Sequence, residues 1–159
     1  MNDELSAVPS ASTETVAALE QELEGGGVLV GIVMGSESDM PAMEKAAAEL
    51  NRRGIANEIR VMSAHRSPDV VAEYSKSAQS RGLKVIIAGA GLAAALPGAV
   101  AAHTELPVIG VPLTSKTSVG GGLDALLAIA QMPPGVPVAC VGVDNPKNAA
   151  VLAARIINA

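Results

Sequence analysis

One histidine and one arginine stand side by side in the segment Ser63-Ala-His-Arg-Ser-Pro-Asp69, between an apolar run and a proline-initiated helical segment. Imidazole titrates near pH ~6.5, so His65 can both accept and return a proton at neutral pH. The guanidinium of Arg66 offers a fixed pair of donors for a phosphate or a carboxylate. The pair therefore indicates acid–base chemistry on an anionic substrate, with an ordinary surface pair as the alternative. The second histidine, His103, has no chemical neighbours in the sequence and is expected to be structural.

Small polar residues form a second candidate loop, Met34-Gly-Ser-Glu-Ser-Asp39, also between an apolar run and a helical segment. Backbone N–H groups and the helix dipole favour an anion at such a helix start, so Ser36, Ser38 and Asp39 predict a phosphate pocket. The alternative is that Ser38 or Asp39 only caps the helix. The loop lacks the Gly-Lys-Ser/Thr of a Walker motif.

A glycine-rich loop, Gly89-Ala-Gly-Leu-Ala-Ala94, matches the spacing of the dinucleotide fingerprint. That fingerprint belongs to the first strand-to-helix turn, whereas this loop is the third, and the next predicted strand ends in Pro112-Leu-Thr without an acid for a ribose. We therefore interpret Gly89, Ala90 and Gly91 as a place where the backbone itself approaches a ligand closely.

A fourth loop, residues 114–122, is rich in serine, threonine and glycine. Its length and its three consecutive glycines predict flexibility, which suits a lid over a binding site. A simple solvated connection is the alternative.

These loops need a framework that brings them to one place. Short apolar runs predict strands over 28–34, 55–62, 84–89, 107–111 and 137–143. Helical segments are predicted over 38–53, 67–81, 92–103, 122–131 and 145–157, and in the first two a proline marks the start and a glycine follows the end. This alternation predicts a single doubly wound α/β domain of the flavodoxin-like or Rossmann-like type, with a parallel sheet between two helical layers. Ligands bind at the carboxyl ends of the strands in such sheets.

The acidic residues are unevenly distributed. The chain of 159 residues has a net charge of −5, but residues 1–27 hold Asp3, Glu4, Glu14, Glu20, Glu22 and Glu24 and contain no Lys or Arg. We expect an acidic N-terminal tail with a possible short helix through Val16, Leu19 and Leu23 and a glycine linker at 25–27. A nearly neutral catalytic domain is expected over 28–159.

Composition excludes several functional classes. The chain has one tyrosine and no tryptophan or phenylalanine, and it has no basic stripe, which argues against nucleic-acid binding. No apolar stretch approaches the ~20 residues of a membrane span, and the polar start is unlike a secretory signal. The lone Cys140 is expected to be a buried small hydrophobe in a reducing, cytoplasmic compartment. Alanine and valine dominate the apolar residues, so we expect burial to be completed at a subunit interface.

Six separated motifs between residues 28 and 157 occur together in this chain. They are Val33-Met-Gly-Ser-Glu-Ser-Asp39, Ser63-Ala-His-Arg-Ser-Pro-Asp69, Val85-Ile-Ile-Ala-Gly-Ala-Gly91, Leu96-Pro-Gly98, Pro107-Val-Ile-Gly-Val-Pro112 and Gln131-Met-Pro-Pro-Gly-Val-Pro137. As an ordered set they resemble the class I N5-carboxyaminoimidazole ribonucleotide (N5-CAIR) mutases, the PurE family of purine biosynthesis. The resemblance implies conversion of N5-CAIR to 4-carboxy-5-aminoimidazole ribonucleotide (CAIR) by decarboxylation and recarboxylation, without metal or organic cofactor. It also implies a cytoplasmic homo-octamer, functionally coupled to the ATP-dependent N5-CAIR synthase.

The resemblance also implies roles for particular residues. His65 matches the general acid/base that moves a proton between the ring carbon and the exocyclic nitrogen. Ser36, Asp39 and Arg66 match ribose and phosphate contacts, and Ser38 and Ser63 line the same pocket. The backbone of Gly89, Ala90 and Gly91 is implied to surround the carboxylate and the released carbon dioxide.

Two residues of the glycine-rich loop depart from the family pattern. The usual class I loop reads Gly-Ala-Ala-His-Leu-Pro-Gly, whereas this chain has Leu92-Ala-Ala-Ala-Leu-Pro-Gly98, so that Leu92 replaces a glycine and Ala95 a histidine. Two alternatives to the mutase therefore stay open. One is a class II carboxylase that uses carbon dioxide directly; the other is a catalytically silent nucleotide-binding protein.

Overall fold

Parallel strands alternate with α-helices throughout the part of the chain that the structure, a computed structural model, describes: residues 27–159. The predicted acidic tail and its possible helix lie outside the described residues, apart from Gly27. The strands are β1 (Val30–Met34), β2 (Asn57–Val61), β3 (Val85–Gly91), β4 (Val108–Leu113) and β5 (Ala139–Cys140). The α-helices are α1 (Met40–Arg52), α2 (Pro68–Ala78), α3 (Leu96–Ala101), α4 (Leu123–Ala130) and α5 (Pro146–Ile157), with 3-10 turns at Glu37–Asp39 and Val119–Gly121.

The five strands form one sheet in the order β2-β1-β3-β4-β5, and every pairing is parallel. This is the flavodoxin-like strand order, and it confirms the predicted doubly wound fold. In this order the chain reverses its direction of travel between β1 and β3, so the loops that leave those two strands diverge and open a crevice. The fold therefore places the first and third candidate loops on either side of the same crevice.

Each face of the sheet buries its own apolar cluster. Residues such as Ile32 and Met34 pack with α1 and α5, whereas Val33 and Ile86 pack with α2, α3 and α4. Alternate residues of a strand point to opposite faces, which is why neighbouring residues of β1 enter different clusters. The result is the expected three-layer α/β/α arrangement.

Alanines allow α5 to lie close to the sheet and to α1. Ala149, Ala150, Ala153 and Ala154 are buried along one side of α5 and pack in the same cluster as Ala46 and Leu50 of α1. A side chain that ends at Cβ lets two helices approach closely, which fits a core without large rings. None of the helices within residues 27–159 is long and apolar enough to cross a bilayer.

The third helix begins later than predicted. The sequence predicts a helix over 92–103, with Pro97 as an interior irregularity, but α3 covers Leu96–Ala101 and has Pro97 in its first turn. Proline is tolerated there because the first N–H groups of a helix have no intrahelical partner. Leu92 has a left-handed backbone with φ of 53°, so it cannot belong to the helix. Similarly, α2 ends at Ala78, and residues 79–82 form turns.

The fifth strand is much shorter than the predicted 137–143. Only Ala139 and Cys140 pair with β4. Pro137 has no N–H to donate to a sheet, and Gly142 has a positive φ of 126°, so regular pairing is interrupted on both sides. Cys140 is consequently half-buried at this edge rather than buried as predicted.

Candidate active site

The carboxyl ends of β1, β2, β3 and β4 surround a cavity of about 390 Å³. All four loops that sequence analysis singled out contribute to its wall. The lining residues are Gly35, Ser36, Ser38, Asp39, Ser63, Ala64, His65, Arg66, Ala90, Gly91, Leu92, Ala93, Ala94, Ala95, Leu96, Leu113, Thr114 and Ser115. Every predicted site residue except Gly89 is therefore in this wall.

The loop after β1 begins with a capped 3-10 turn. Ser36 has an extended backbone, and its hydroxyl accepts the N–H of Ser38 at 3.3 Å. The hydroxyl oxygens of Ser36 and Ser38 are 2.9 Å apart. Ser36, not Ser38 or Asp39, is thus the capping residue, and the side chain of Asp39 makes no capping hydrogen bond to α1. The capping alternative therefore does not account for the side chain of Asp39, which lies in the cavity wall.

Partial burial changes the acidity of Asp39. Desolvation raises its pKa, and a backbone hydrogen bond with Ser36 partly opposes that shift. A carboxyl group in such a position gains from a ligand that donates hydrogen bonds to it, because the donors replace lost water. A ribose hydroxyl is a ligand group of this kind.

The loop after β2 is a tight turn held by two serines. The N–H of Ser63 donates to the Ser67 hydroxyl at 3.3 Å, and that hydroxyl donates back to the Ser63 carbonyl at 3.2 Å. The Ser63 hydroxyl accepts the N–H of Arg66 at 3.3 Å. These bonds leave His65 and Arg66 exposed at the tip of the turn, with both residues in the cavity wall. Ser63 therefore shapes the turn as well as lining the cavity.

Two of the three residues predicted at the end of β3 reach the cavity. Ala90 and Gly91 line it, whereas Gly89 lies one step inside the sheet. A Cβ on Gly89 would lie 2.9 Å from Cε of Met43 and even closer to its sulfur, so this glycine makes room for the end of the Met43 side chain of α1. The Gly-x-Gly pattern in the sequence did not indicate that its first glycine packs inside the core and does not line the cavity.

Leu92 and Ala95 both lie in the cavity wall. Leu92 has a left-handed backbone and an exposed side chain, although this backbone region is costly for a residue with a branched γ-carbon. The two departures from the family pattern therefore fall at the site itself and not elsewhere on the surface.

The loop after β4 adds two polar residues, Thr114 and Ser115, that were not among the predicted site residues. The signal that could have found them is their position directly after an apolar strand, as for Ser36 and Ser63. The Ser118 hydroxyl accepts the N–H of Ser115 at 2.8 Å, and Asp124 accepts the N–H of Val119 at 3.1 Å. The loop is thus internally hydrogen-bonded in this structure, and its role as a lid stays a prediction.

His103 lies outside the site, at the end of the sheet where the strands begin. It follows α3, and its Nδ1 is 2.8 Å from the carbonyl oxygen of Ala99. A larger cavity of about 820 Å³ is found there, lined by His103, Leu106, Pro107 and other residues near the amino ends of β4 and β5. Ligand chemistry in parallel sheets belongs to the carboxyl ends, so we assign the smaller cavity as the candidate active site.

The cavity combines three kinds of group. The loops after the neighbouring strands β1 and β2 bring Ser36 and Ser38, near a helix start, and Arg66 into the wall, a combination that suits a phosphate. His65 supplies a group that can exchange protons, and Ala90 and Gly91 expose backbone next to small side chains. Among residues 27–159, no three His, Cys, Asp or Glu side chains cluster closely enough to hold a metal ion.

Comparison with known proteins gives one consistent result. The family model described as AIR carboxylase matches residues 29–159. The N5-carboxyaminoimidazole ribonucleotide mutase of Pyrococcus horikoshii is 58% identical over 129 residues, which are 81% of this chain and 72% of that protein. The enzyme of the same name from Thermotoga maritima is 59% identical over 128 residues, 80% of this chain and 74% of that protein.

Two further comparisons extend this result. The crystal structure of Treponema denticola PurE matches with a TM-score of 0.73 and 39% identity, over 82% of this chain and 80% of that one. The phosphoribosylaminoimidazole carboxylase of Saccharomyces cerevisiae is 55% identical over 131 residues, which are 82% of this chain but 23% of that longer protein.

Proposed function

This chain belongs to the AIR carboxylase family, and from that premise we propose that it is an N5-CAIR mutase, an isomerase of purine biosynthesis that converts N5-CAIR to CAIR. The observation that carries the proposal is the meeting of His65, Arg66 and the two small-residue loops in one cavity at the strand switch point. The relatives with the highest identities quoted above have this activity in their names.

The proposed binding mode follows from the charges of the wall. The phosphate of the ribonucleotide lies at the Ser36–Ser38 turn and is neutralised by Arg66. The Asp39 carboxyl group accepts hydrogen bonds from ribose hydroxyls. Ser63 completes this side of the cavity by holding the turn that carries His65 and Arg66.

His65 is proposed to move one proton from carbon to nitrogen. As the bond between the exocyclic nitrogen and the carboxylate carbon breaks, the imidazolium of His65 gives its proton to that nitrogen, and carbon dioxide is released inside the cavity. The ring carbon then attacks carbon dioxide with its electron pair. Neutral His65 removes the proton of that carbon and is returned to its starting form. One general acid/base is sufficient because the two proton transfers are opposite and sequential.

The glycine-rich loop is proposed to hold the carbon dioxide between the two steps. Ala90 and Gly91 carry no side chain beyond Cβ, so their backbone can approach a small, uncharged molecule closely. A site that excludes water also keeps carbon dioxide from hydration and loss.

The test is turnover of N5-CAIR by purified protein without ATP or metal. We expect His65→Asn to abolish turnover while the circular dichroism spectrum is unchanged. The matched control is His103→Asn, because His103 is also exposed but lies at the end of the sheet where the strands begin. Full turnover by His65→Asn would contradict the proposed mechanism.

A direct carboxylase is the second candidate, because Leu92 and Ala95 alter the loop where carbon dioxide is expected and because relatives such as the Saccharomyces cerevisiae protein are named carboxylases. This enzyme would take aminoimidazole ribonucleotide and carbon dioxide as substrates. Activity with that ribonucleotide plus bicarbonate, together with no reaction of N5-CAIR, would select it. Tight ribonucleotide binding without either reaction would select a silent binding protein.

We propose further that the enzyme is a cytoplasmic homo-octamer that receives its substrate from the ATP-dependent N5-CAIR synthase. Support for self-association comes from exposed apolar side chains on and next to α4, at Val119, Leu123 and Leu127. Light scattering that gives the mass of a stable monomer would contradict the octamer. We also propose that residues 1–27 are an appended acidic tail, so that a chain starting at residue 28 keeps full turnover.

A further inference from the structure

Asp144 and Thr114 are 30 residues apart in the chain, yet their side chains meet beside the candidate active site. Asp144 follows β5, and Thr114 follows β4 in the cavity wall. The Asp144 carboxylate accepts the N–H of Thr114 at 2.8 Å through Oδ1, and its Oδ2 accepts the Thr114 hydroxyl. The backbone N–H of Asp144 donates to the carbonyl of Pro112 at 2.8 Å. Asp144 therefore fixes both the backbone and the side chain of Thr114.

The backbone of Asp144 is held in an uncommon conformation. Its φ is 51°, in the left-handed region that aspartate and asparagine tolerate better than most other residues. On the other side of Thr114, a Cβ placed on Gly122 would lie 2.8 Å from the Thr114 methyl group. The Asp144 carboxylate is therefore the group that orients the Thr114 hydroxyl, and Gly122 leaves room for the Thr114 methyl group.

That orientation decides what Thr114 can offer to a ligand. A threonine hydroxyl has one proton and two lone pairs, whereas an ionised carboxylate can only accept. Because the proton is given to Asp144, the oxygen of Thr114 presents only acceptor capacity towards the cavity. The nearby carboxylate also disfavours a second anion at this end.

We propose that Asp144 is a positioning residue which makes Thr114 an acceptor for a hydrogen-bond donor of the substrate. In the ribonucleotide this donor is a ribose hydroxyl or the exocyclic nitrogen, and the phosphate lies at the opposite end, near Ser36 and Arg66. The β4–β5 end of the cavity thereby sets the direction in which the substrate lies. This inference rests on the proposed function for the identity of the ribonucleotide.

The test compares four single variants, and the double variant that combines Asp144→Asn with Thr114→Val, by steady-state turnover of N5-CAIR. In Asp144→Asn the asparagine tolerates the left-handed backbone, and its side-chain oxygen can still accept the Thr114 N–H. Its NH2 group, however, replaces the carboxylate oxygen that accepted the Thr114 hydroxyl. Thr114→Val removes the hydroxyl, and Thr114→Ser keeps it. Asp124→Ala is the matched control, because Asp124 anchors the same loop at Val119, outside the cavity wall.

We expect Asp144→Asn and Thr114→Val each to raise KM by roughly tenfold, the loss of about one good hydrogen bond, with kcat and melting temperature little changed. The double variant should be no worse than either single one, because both remove the same interaction. Thr114→Ser and Asp124→Ala should keep the KM of the unaltered protein. Inorganic phosphate should inhibit all of them equally, since it binds at the other end.

The outcomes separate this inference from the proposed function. A KM unchanged in both Asp144→Asn and Thr114→Val would overturn the inference and leave the mutase intact. Inhibition by inorganic phosphate that weakens in these two variants as much as KM rises would do the same. If the unaltered protein shows no turnover, the proposed function fails, and calorimetric binding of aminoimidazole ribonucleotide replaces KM in the same comparison. An equal Kd across the variants would then overturn the inference. A protein that binds no ribonucleotide would overturn both.

Discussion

A Cβ placed on Gly91 would lie 2.8 Å from the carbonyl oxygen of Leu113, its partner in the register of β3 and β4. Both residues line the candidate active site, so the two strands meet at the cavity with room for backbone alone. The obstacle is a main-chain atom of a paired strand, which cannot rotate away as a flexible side chain can.

Replacement of Gly91 by alanine should therefore impair both stability and turnover. We expect Gly91→Ala to lower the free energy of unfolding by about 1–3 kcal/mol, a usual cost of overpacking, and to reduce kcat by displacing the backbone proposed to hold carbon dioxide. Gly35→Ala is the control, because Gly35 also lines the cavity but a Cβ there meets no atom within 4 Å. Equal urea-denaturation midpoints for the two variants would contradict this explanation.

The Asp39 carboxylate should lower the stability of the fold and strengthen binding of the ribonucleotide. Desolvation raises its pKa, so at neutral pH the ionised carboxylate is less favourable in the folded protein than in the unfolded chain. Asp39→Asn removes this cost, and we expect a higher melting temperature at pH 7 together with a higher KM for the ribonucleotide. The difference in melting temperature should shrink as the pH falls and Asp39 becomes protonated. Asp69→Asn, at an exposed residue in the first turn of α2, should not raise the melting temperature.

Glu49 should make the fold sensitive to acid. Hydrogen bonds from Arg52 and Arg53, at 2.6 and 2.7 Å, lower the pKa of Glu49 from its ordinary value of 4.5 to about 2. A lowered pKa means that this stabilisation is complete above pH 4.5 and is lost as the pH falls towards 2. We expect Glu49→Gln to be less stable than the unaltered protein at pH 7, with the difference disappearing near pH 2.

The matched control for this acid effect is Glu44→Gln, on the exposed side of the same helix. Its stability difference from the unaltered protein should be small and nearly constant with pH. Urea denaturation at several pH values measures both variants. Parallel stability curves for Glu49→Gln and the unaltered protein would show that the two arginines do not act on Glu49 as described.

Self-association should depend on the outer surface of α4. Val119, Leu123 and Leu127 are 69%, 49% and 55% exposed, and large apolar side chains exposed in one segment favour contact with another protein surface. Leu127→Glu should shift the protein to a smaller assembly in light scattering, because a charge would be buried in the contact. Lys45→Glu, on α1 at the opposite face of the sheet, should leave the mass unchanged. An unaltered mass for Leu127→Glu would place the subunit contacts elsewhere.

Most of the fold could be predicted from the sequence because its signals are local. The period of the apolar residues, the prolines at helix starts and the glycines past helix ends act over a few residues. Within residues 27–159 they correctly predicted five strands and five α-helices and their order along the chain. They failed for the start of α3, where Pro97 marks the first turn rather than an interruption, and for β5, where Pro137 and Gly142 limit pairing to two residues.

The candidate site residues could likewise be selected from the sequence, since a parallel sheet collects the loops that follow its strands. His65, Arg66, Ser36 and Asp39 all occupy such positions, and they line one cavity. What each residue packs against depended on which strands and helices became neighbours. The sequence alone could not show that Gly89 faces the side chain of Met43 in α1, whereas Gly91 faces the backbone of Leu113 in β4.

The tertiary structure alone joined Asp144 to Thr114. No periodicity or spacing links residues 30 positions apart, because their contact is created by the pairing of β4 with β5 and by a left-handed turn at the end of β5. The sequence thus determined the elements, the edge of the sheet where chemistry collects and the groups available there. The folded chain decided which of these groups face the cavity, which support the core and which hold another residue in place, because those roles are set by long-range contacts.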